Sequence, residues 1–367
     1  MVSFLLLDRV LSQKPSCTIY QPDRLFGQSL IPNSECREKT DEYEVLYKIN
    51  SLGLRDYERS YEKEEGTFRI LFLGDSFTQG IGVNLEDTMA KKLEAKLKGI
   101  GGGQFETVNG GIAASSVVSQ YSFLVNKGIN FHPDMVIFNL NASDFLEEVA
   151  AVRYSVRYEG GQMVFNTEQK RYLPKFVEQY LRNNSFTYQL VFQNREKLLK
   201  LAGRVTAYLT SREPPDYVYS GLDAKPGDSV HDLFAITRDI GDREFEELFG
   251  PATKRISQIN IFLKERNIVL LLVFIPHGHQ IAPSQWRDGR VVYKLTDFEY
   301  PNRLNKGLLE FAKSADIDFL DLSQKFKEDL LANGGDKIYF DYDGHLTPLG
   351  NRLAAEAIYA TYRHKLK

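Results

Sequence analysis

The chain has 367 residues, 43% of them hydrophobic and 26% charged, with a formal net charge of −3. That balance is ordinary for a globular protein of one large or two modest domains. It lacks the basic excess of a nucleic-acid binder, so no nucleic-acid partner is expected. The longest apolar runs, such as residues 268–275, are strand-length and far too short to cross a bilayer, so membrane anchoring is not evident.

Residues 1–66 are polar and rich in turn signals, among them Gln21-Pro22-Asp23 and Ile31-Pro32-Asn33. They read as an irregular N-terminal extension laid against a main domain at 67–367. Residues 2–7 are apolar, but no basic segment precedes them and no cleavage site follows, so a complete signal peptide is not expected. The two cysteines, Cys17 and Cys36, suit either one disulfide in an oxidising compartment or two thiols in a reducing one. An extracytoplasmic location is favoured over the cytoplasm.

From residue 67 the pattern changes. Residues 68–73 (FRILFL) read as a buried strand ending in Gly-Asp-Ser. Helical spacing follows over 86–98, a second strand over 105–109, a helix over 115–127 and a third strand over 135–140. After a gap, residues 252–265 are helical and 268–275 (IVLLLVFI) form a fourth strand. A helix over 302–314, a fifth strand over 317–322 and a closing helix over 347–365 complete the order. Short, nearly all-apolar strands alternating with helices predict a parallel sheet covered on both faces. Ligands of such sheets bind at the carboxyl ends of strands.

Residues 146–250 interrupt this alternation and read as a largely helical insertion beside that edge. A hairpin over 153–162 turning at Gly160-Gly161, one or two helices over 173–201 and a loop over 213–229 are expected there.

Four loops after strands carry side chains suited to one chemistry. Gly74-Asp75-Ser76 follows the first strand, where a serine hydroxyl can face substrate and the next amides can hold an oxyanion. Asn109-Gly110-Gly111 follows the second, where a glycine lets backbone approach a reacting carbonyl. Asn141-Ala142-Ser143-Asp144 follows the third. Asp343-Gly344-His345 precedes the last helix. Serine is a poor nucleophile unless a base takes its proton, and the base needs a carboxylate to fix its tautomer. Singly, each loop also reads as a turn or helix cap.

Jointly, and in this order, the four loops resemble the SGNH (GDSL-type) hydrolase superfamily. The resemblance covers about residues 45–145 and 250–367, including the preface INSLGLRD at 49–56, which is similar to that of a bacterial subgroup. It implies a flavodoxin-like three-layer α/β/α fold with a five-stranded parallel sheet. It implies Ser76 as nucleophile, His345 as base, Asp343 as orienting acid and the amides of Ser76 and Gly111 as oxyanion donors. Two departures stand out. Ser143 occupies the position of the family's oxyanion asparagine, so Ser143 or Asn141 is expected to supply a third donor. Asp343 lies two residues before the histidine rather than three, a spacing similar to the alginate-type O-acetyltransferase branch, with Asp341 as the alternative acid.

The function so implied is hydrolysis of O-acyl esters of a carbohydrate or similar polar substrate through an acyl-enzyme, without cofactor. The alternatives are a polysaccharide O-acyltransferase using the same residues and a non-catalytic carbohydrate-binding protein. His277 and His279 follow the fourth strand, but no carboxylate or cysteine set completes a metal site and none is expected. His132, His231 and His364 read as surface residues, and Gly99–Gly103 as a helix-to-strand loop. No Gly-x-Ser-x-Gly elbow occurs, which argues against an ordinary α/β-hydrolase.

Overall fold

The computed structural model describes residues 19–99, 104–159, 162–165, 233–295, 300–333 and 336–363. All of them belong to one compact unit, residues 19–167 and 232–367. The helices expected over 173–201, the loop over 213–229, Cys17, His231 and His364 lie outside the described residues.

Five parallel strands form the central sheet: β1 (Thr67–Leu73), β2 (Gln104–Asn109), β3 (Met135–Leu140), β4 (Val269–Phe274) and β5 (Asp318–Asp321). Their order is β5-β4-β3-β1-β2, all neighbours parallel. The central strands are nearly all apolar because both faces are covered: Ile70, Leu71, Phe72 and Leu73 of β1 and Ile137 and Phe138 of β3 have no exposed surface. The helices are α1 (Met89–Lys98), α2 (Val117–Asn126), α3 (Ser143–Ala150), α4 (Asp242–Lys264), α5 (Arg303–Ser314), α6 (Ser323–Asn333) and α7 (Pro348–Tyr362). Six of them form two packing groups, α1 with α7 and α6 in one, and α2 with α3 and α4 in the other. This is the expected α/β fold. The chain leaves β1 toward β2 and then returns to β3 on the other side, so β1 and β3 flank the switch point where open sheets bind ligands.

Two expectations need correction. Helix α4 begins at Asp242 rather than 252. Residues 242–250 are therefore the first turns of the helix that feeds β4. Pro251 lies inside that helix although proline disfavours helix interiors, so the sequence around it does not read as continuous helix. The N-terminal extension is not irregular. Residues Tyr20–Asp23 pair with Gly27–Leu30, and Glu35–Lys39 with Glu44–Lys48, as two antiparallel hairpins. Side-chain-capped turns hold them. Asp23 accepts from the amides of Leu25 and Phe26, and Thr40 from those of Glu42 and Tyr43. Strands this short carry too little alternation to stand out. The hairpin expected at 153–162 appears as Val156–Glu159 paired with Gln162–Phe165.

Candidate active site

Ser76 opens a single helical turn, Ser76–Gln79, directly after β1. Gly74 makes the sharp approach possible: its φ is +155°, and a Cβ there would lie 2.1 Å from Thr78 Oγ1. Asp75 caps the turn by accepting from the amide of Phe77 at 3.0 Å. The preface motif anchors this turn and its neighbour. The buried Arg55 guanidinium donates to the carbonyls of Gln79, Gly80 and Val83, satisfying the end of the turn. Asp56 accepts from the amide of Asn109 at 2.8 Å and pairs with Lys91 at 2.5 Å, fixing the end of β2.

Across the cleft, His345 stands in the loop before α7. Its Nε2 lies 2.7 Å from Ser76 Oγ, and its Nδ1 is hydrogen-bonded to Asp343 Oδ1. A carboxylate only accepts, so Nδ1 carries the proton and Nε2 presents a lone pair to the serine hydroxyl. Gly344, between acid and base, has φ +84°, and a Cβ there would lie 2.5 Å from Trp286 Nε1. Burial alone would depress the imidazole. The hydrogen bond and charge of Asp343, with Asp75 behind it, outweigh burial and leave His345 above its ordinary value of 6.5. Burial likewise opposes ionisation of Asp343, but its bonds to His345 and Tyr43 leave that carboxyl below its ordinary range. Asp341 faces the other way, toward Lys337 and, at 3.6 Å, Arg287. The structure thus brings Ser76, His345 and Asp343 into one hydrogen-bonded row and leaves Asp341 out of it.

The expected oxyanion donors fare differently. The single N–H of Gly111 donates to Asn109 Oδ1 at 3.0 Å, and a Cβ there would lie 2.2 Å from Gln79 N. Gly111 is a close-packing glycine, and its amide is already used. Asn141 is buried behind the nucleophile turn. Its Nδ2 donates to Asp75 at 2.8 Å, and its Oδ1 accepts from His277 Nε2, from the Ser143 amide and from the Ser143 hydroxyl. Both side chains expected as third donors are therefore bonded to each other. The backbone amide of Ser76 has no acceptor among the described residues. Neither has that of Ala114, an exposed residue with φ +56°. The loop of Ala114 is tied to the β1 end at two points, Ile112 N and Ser115 Oγ, both donating to the Gly74 carbonyl at 3.2 Å. A left-handed alanine is uncommon and marks a constrained backbone. Nothing in the letter Ala reveals it.

Carboxyls crowd the same region. Burial, then the charge of Asp75, lifts Glu147 to about 8, and burial with the charges of Asp75 and Glu147 raises Asp144 well above its ordinary range. His277 is pushed down to about 3 by burial and by His345, so it stays neutral. His279 is buried and also lowered, with Nε2 against Thr237 Oγ1 at 3.2 Å. His132 is exposed, as expected. No group of three metal-ligating side chains exists among the described residues.

Sheet order, the Gly-Asp-Ser turn and the Asp-Gly-His loop are arranged as the resemblance to SGNH hydrolases implies. Residues 233–367, which carry Asp343 and His345, match the family model described as SGNH hydrolase-like domain, acetyltransferase AlgX. No curated protein is matched by the sequence. Among solved structures, the chain is similar to an acetyl xylan esterase, at 16% identity and TM-score 0.42, covering 80% of this chain and 99% of that one. It is also similar to the lipase/acylhydrolase from Enterococcus faecalis, at 11% identity and TM-score 0.40, covering 81% and 96%. A third is a variant of an acetyl-xylooligosaccharide esterase from Geobacillus, at 12% identity and TM-score 0.40, covering 81% and 95%.

Proposed function

We propose that this protein transfers acyl groups through Ser76, removing O-acetyl or similar O-acyl groups from a carbohydrate or comparable polar ester. The observation that carries this reading is the 2.7 Å approach of His345 Nε2 to Ser76 Oγ with Asp343 behind the imidazole. His345 takes the hydroxyl proton as Ser76 attacks the ester carbonyl. The oxyanion collects at the amides of Ser76 and Ala114, which meet no acceptor among the described residues. His345 then protonates the leaving alcohol, giving an acyl-Ser76 ester, and activates water to release the acid. No step needs a cofactor.

A second reading, O-acyl transfer in which an acceptor sugar hydroxyl replaces water, is favoured by the acetyltransferase description of the family model over residues 233–367. A carbohydrate-binding role without catalysis would leave this alignment of serine, histidine and carboxylate unexplained. An extracytoplasmic location fits the disulfide at Cys36, since such bonds persist in oxidising compartments. Among the described residues no helix is long and apolar enough to cross a membrane. Incubation with acyl-nitrophenyl esters and acetylated glycans, with and without acceptor sugars, tests the reading. Release of free acid supports hydrolysis, acylated acceptor supports transfer, and neither product with any ester would refute both.

A further inference from the structure

The tip of the second N-terminal hairpin, residues 40–43, reaches the loop that carries the acid. Tyr43 donates its hydroxyl to Asp343 Oδ2 at 3.0 Å, the oxygen that His345 does not use. Glu42 is clamped in three consecutive backbone amides of the same loop. Its Oε1 accepts from Asp341 N at 2.5 Å and Tyr342 N at 3.1 Å, and its Oε2 from Asp343 N at 2.9 Å. Successive N–H groups converging on one carboxylate form an anion nest, a geometry that fixes a loop's backbone. The Tyr43 ring also packs on Phe340 at 5.1 Å between centroids. Thr40 holds the tip in shape through the amides of Glu42 and Tyr43, both at 3.1 Å. The hairpin thus supplies a side chain to each component of the acid's geometry: Glu42 to its backbone and Tyr43 to its carboxylate.

We propose that Tyr43 and Glu42 are positioning residues for the acyl-transfer site, making the N-terminal hairpin part of the catalytic apparatus; this rests on the Ser76 reading. Tyr43 touches no reacting atom. It pins Asp343 in the rotamer that faces His345 and disperses part of the carboxylate's charge. Burial and the neighbouring Asp343 push the Tyr43 phenol far above its ordinary range, so it remains a donor at every working pH. The groups facing the acid–base pair are Tyr43 and Glu38 from the hairpins, Asp75 from the nucleophile turn and His277 from the loop after β4. Among these, Tyr43 is the one bonded to Asp343.

Removing the phenol hydroxyl leaves Asp343 more basic and its charge less shared. His345 then holds its proton more tightly, so its titration moves to higher pH. Tyr43→Phe, which keeps the ring packing, is compared with the wild type by NMR titration of the His345 imidazole. A clear upward shift is expected, with turnover down about tenfold, the loss of one hydrogen bond to a charged group, at unchanged KM. Glu42→Gln keeps one acceptor oxygen and should lose less turnover than Glu42→Ala. An unshifted His345 in Tyr43→Phe would overturn the proposal. Labelling of Ser76 by a serine-directed phosphonate is measured on the same samples. A shifted His345 in a protein whose Ser76 is never labelled would leave the positioning intact and sink the acyl-transfer reading instead.

Discussion

His277 donates from Nε2 to Asn141 Oδ1 at 3.0 Å, joining the loops after β4 and β3 behind the nucleophile. The sequence offered Asn141, beside Ser143, as a candidate oxyanion donor and placed His277 after the fourth strand without a metal site. Their bond makes Asn141 a buried hub that also holds Asp75 and Ser143. Asn141→Ala strands several buried polar groups at once. It should lower unfolding stability by about 3 kcal/mol, at roughly 1–3 kcal/mol for each unsatisfied group, and turnover should fall with it. Ser143→Ala removes one hydroxyl bond and should cost about 1 kcal/mol. Denaturant unfolding beside kinetics checks this. Full stability in Asn141→Ala with turnover alone reduced would return Asn141 to direct oxyanion contact.

Asp343 and Asp341 make opposed predictions. Asp343 lies against His345, whereas Asp341 is occupied by Lys337. Asp343→Asn should reduce turnover by up to about 10⁴-fold, the loss seen when a serine triad's carboxylate is replaced. Asp341→Asn should change turnover less than about tenfold, and chiefly affect stability through its ion pairs with Lys337 and Arg287. Steady-state kinetics of the two variants at matched folding decides between them.

The pH profile follows from the raised His345. The base works only when neutral, so kcat/KM should be lost as pH falls through a value above the ordinary 6.5. Asp343→Asn withdraws the charge that raises it, so the residual activity should show its acidic limb at lower pH. His277, already neutral, should add no second limb above pH 5, since burial and His345 hold it at about 3. A wild-type limb well below 6.5 would contradict the ion-paired geometry.

The oxyanion assignment is testable by structure. In a phosphonate adduct of Ser76, the phosphoryl oxygen should lie within hydrogen-bond distance, about 2.7–3.1 Å, of the amides of Ser76 and Ala114. Gly111 N should still point to Asn109. An adduct oxygen bonded to Gly111 N would restore the donor that the family resemblance implies.

Legibility in the sequence divided along physical lines. The three central strands of the sheet were legible because burial on both faces leaves nearly all-apolar runs, as in FRILFL and MVIFNL. Ser76, Asp343 and His345 were legible as candidates only jointly, through the family resemblance of their loops, and the structure brings the three side chains together. Tyr43 and Glu42 were not, because they act across 300 positions of chain and sit in a short polar hairpin. The use of the Gly111 amide was hidden for another reason. Which acceptor an N–H meets depends on local backbone, and Asn109 two residues earlier supplies one. Ala114 gave no signal because its left-handed backbone is imposed by surroundings rather than by its side chain.

The central claim is that Ser76 carries the acyl group between donor and acceptor. Mass spectrometry of protein quenched during turnover of nitrophenyl acetate tests it most directly. One acetyl group should appear on the peptide containing Ser76. It should accumulate when water is limiting, and both label and turnover should vanish in Ser76→Ala. An acetyl group found on another residue, or turnover that survives in Ser76→Ala, would contradict the account.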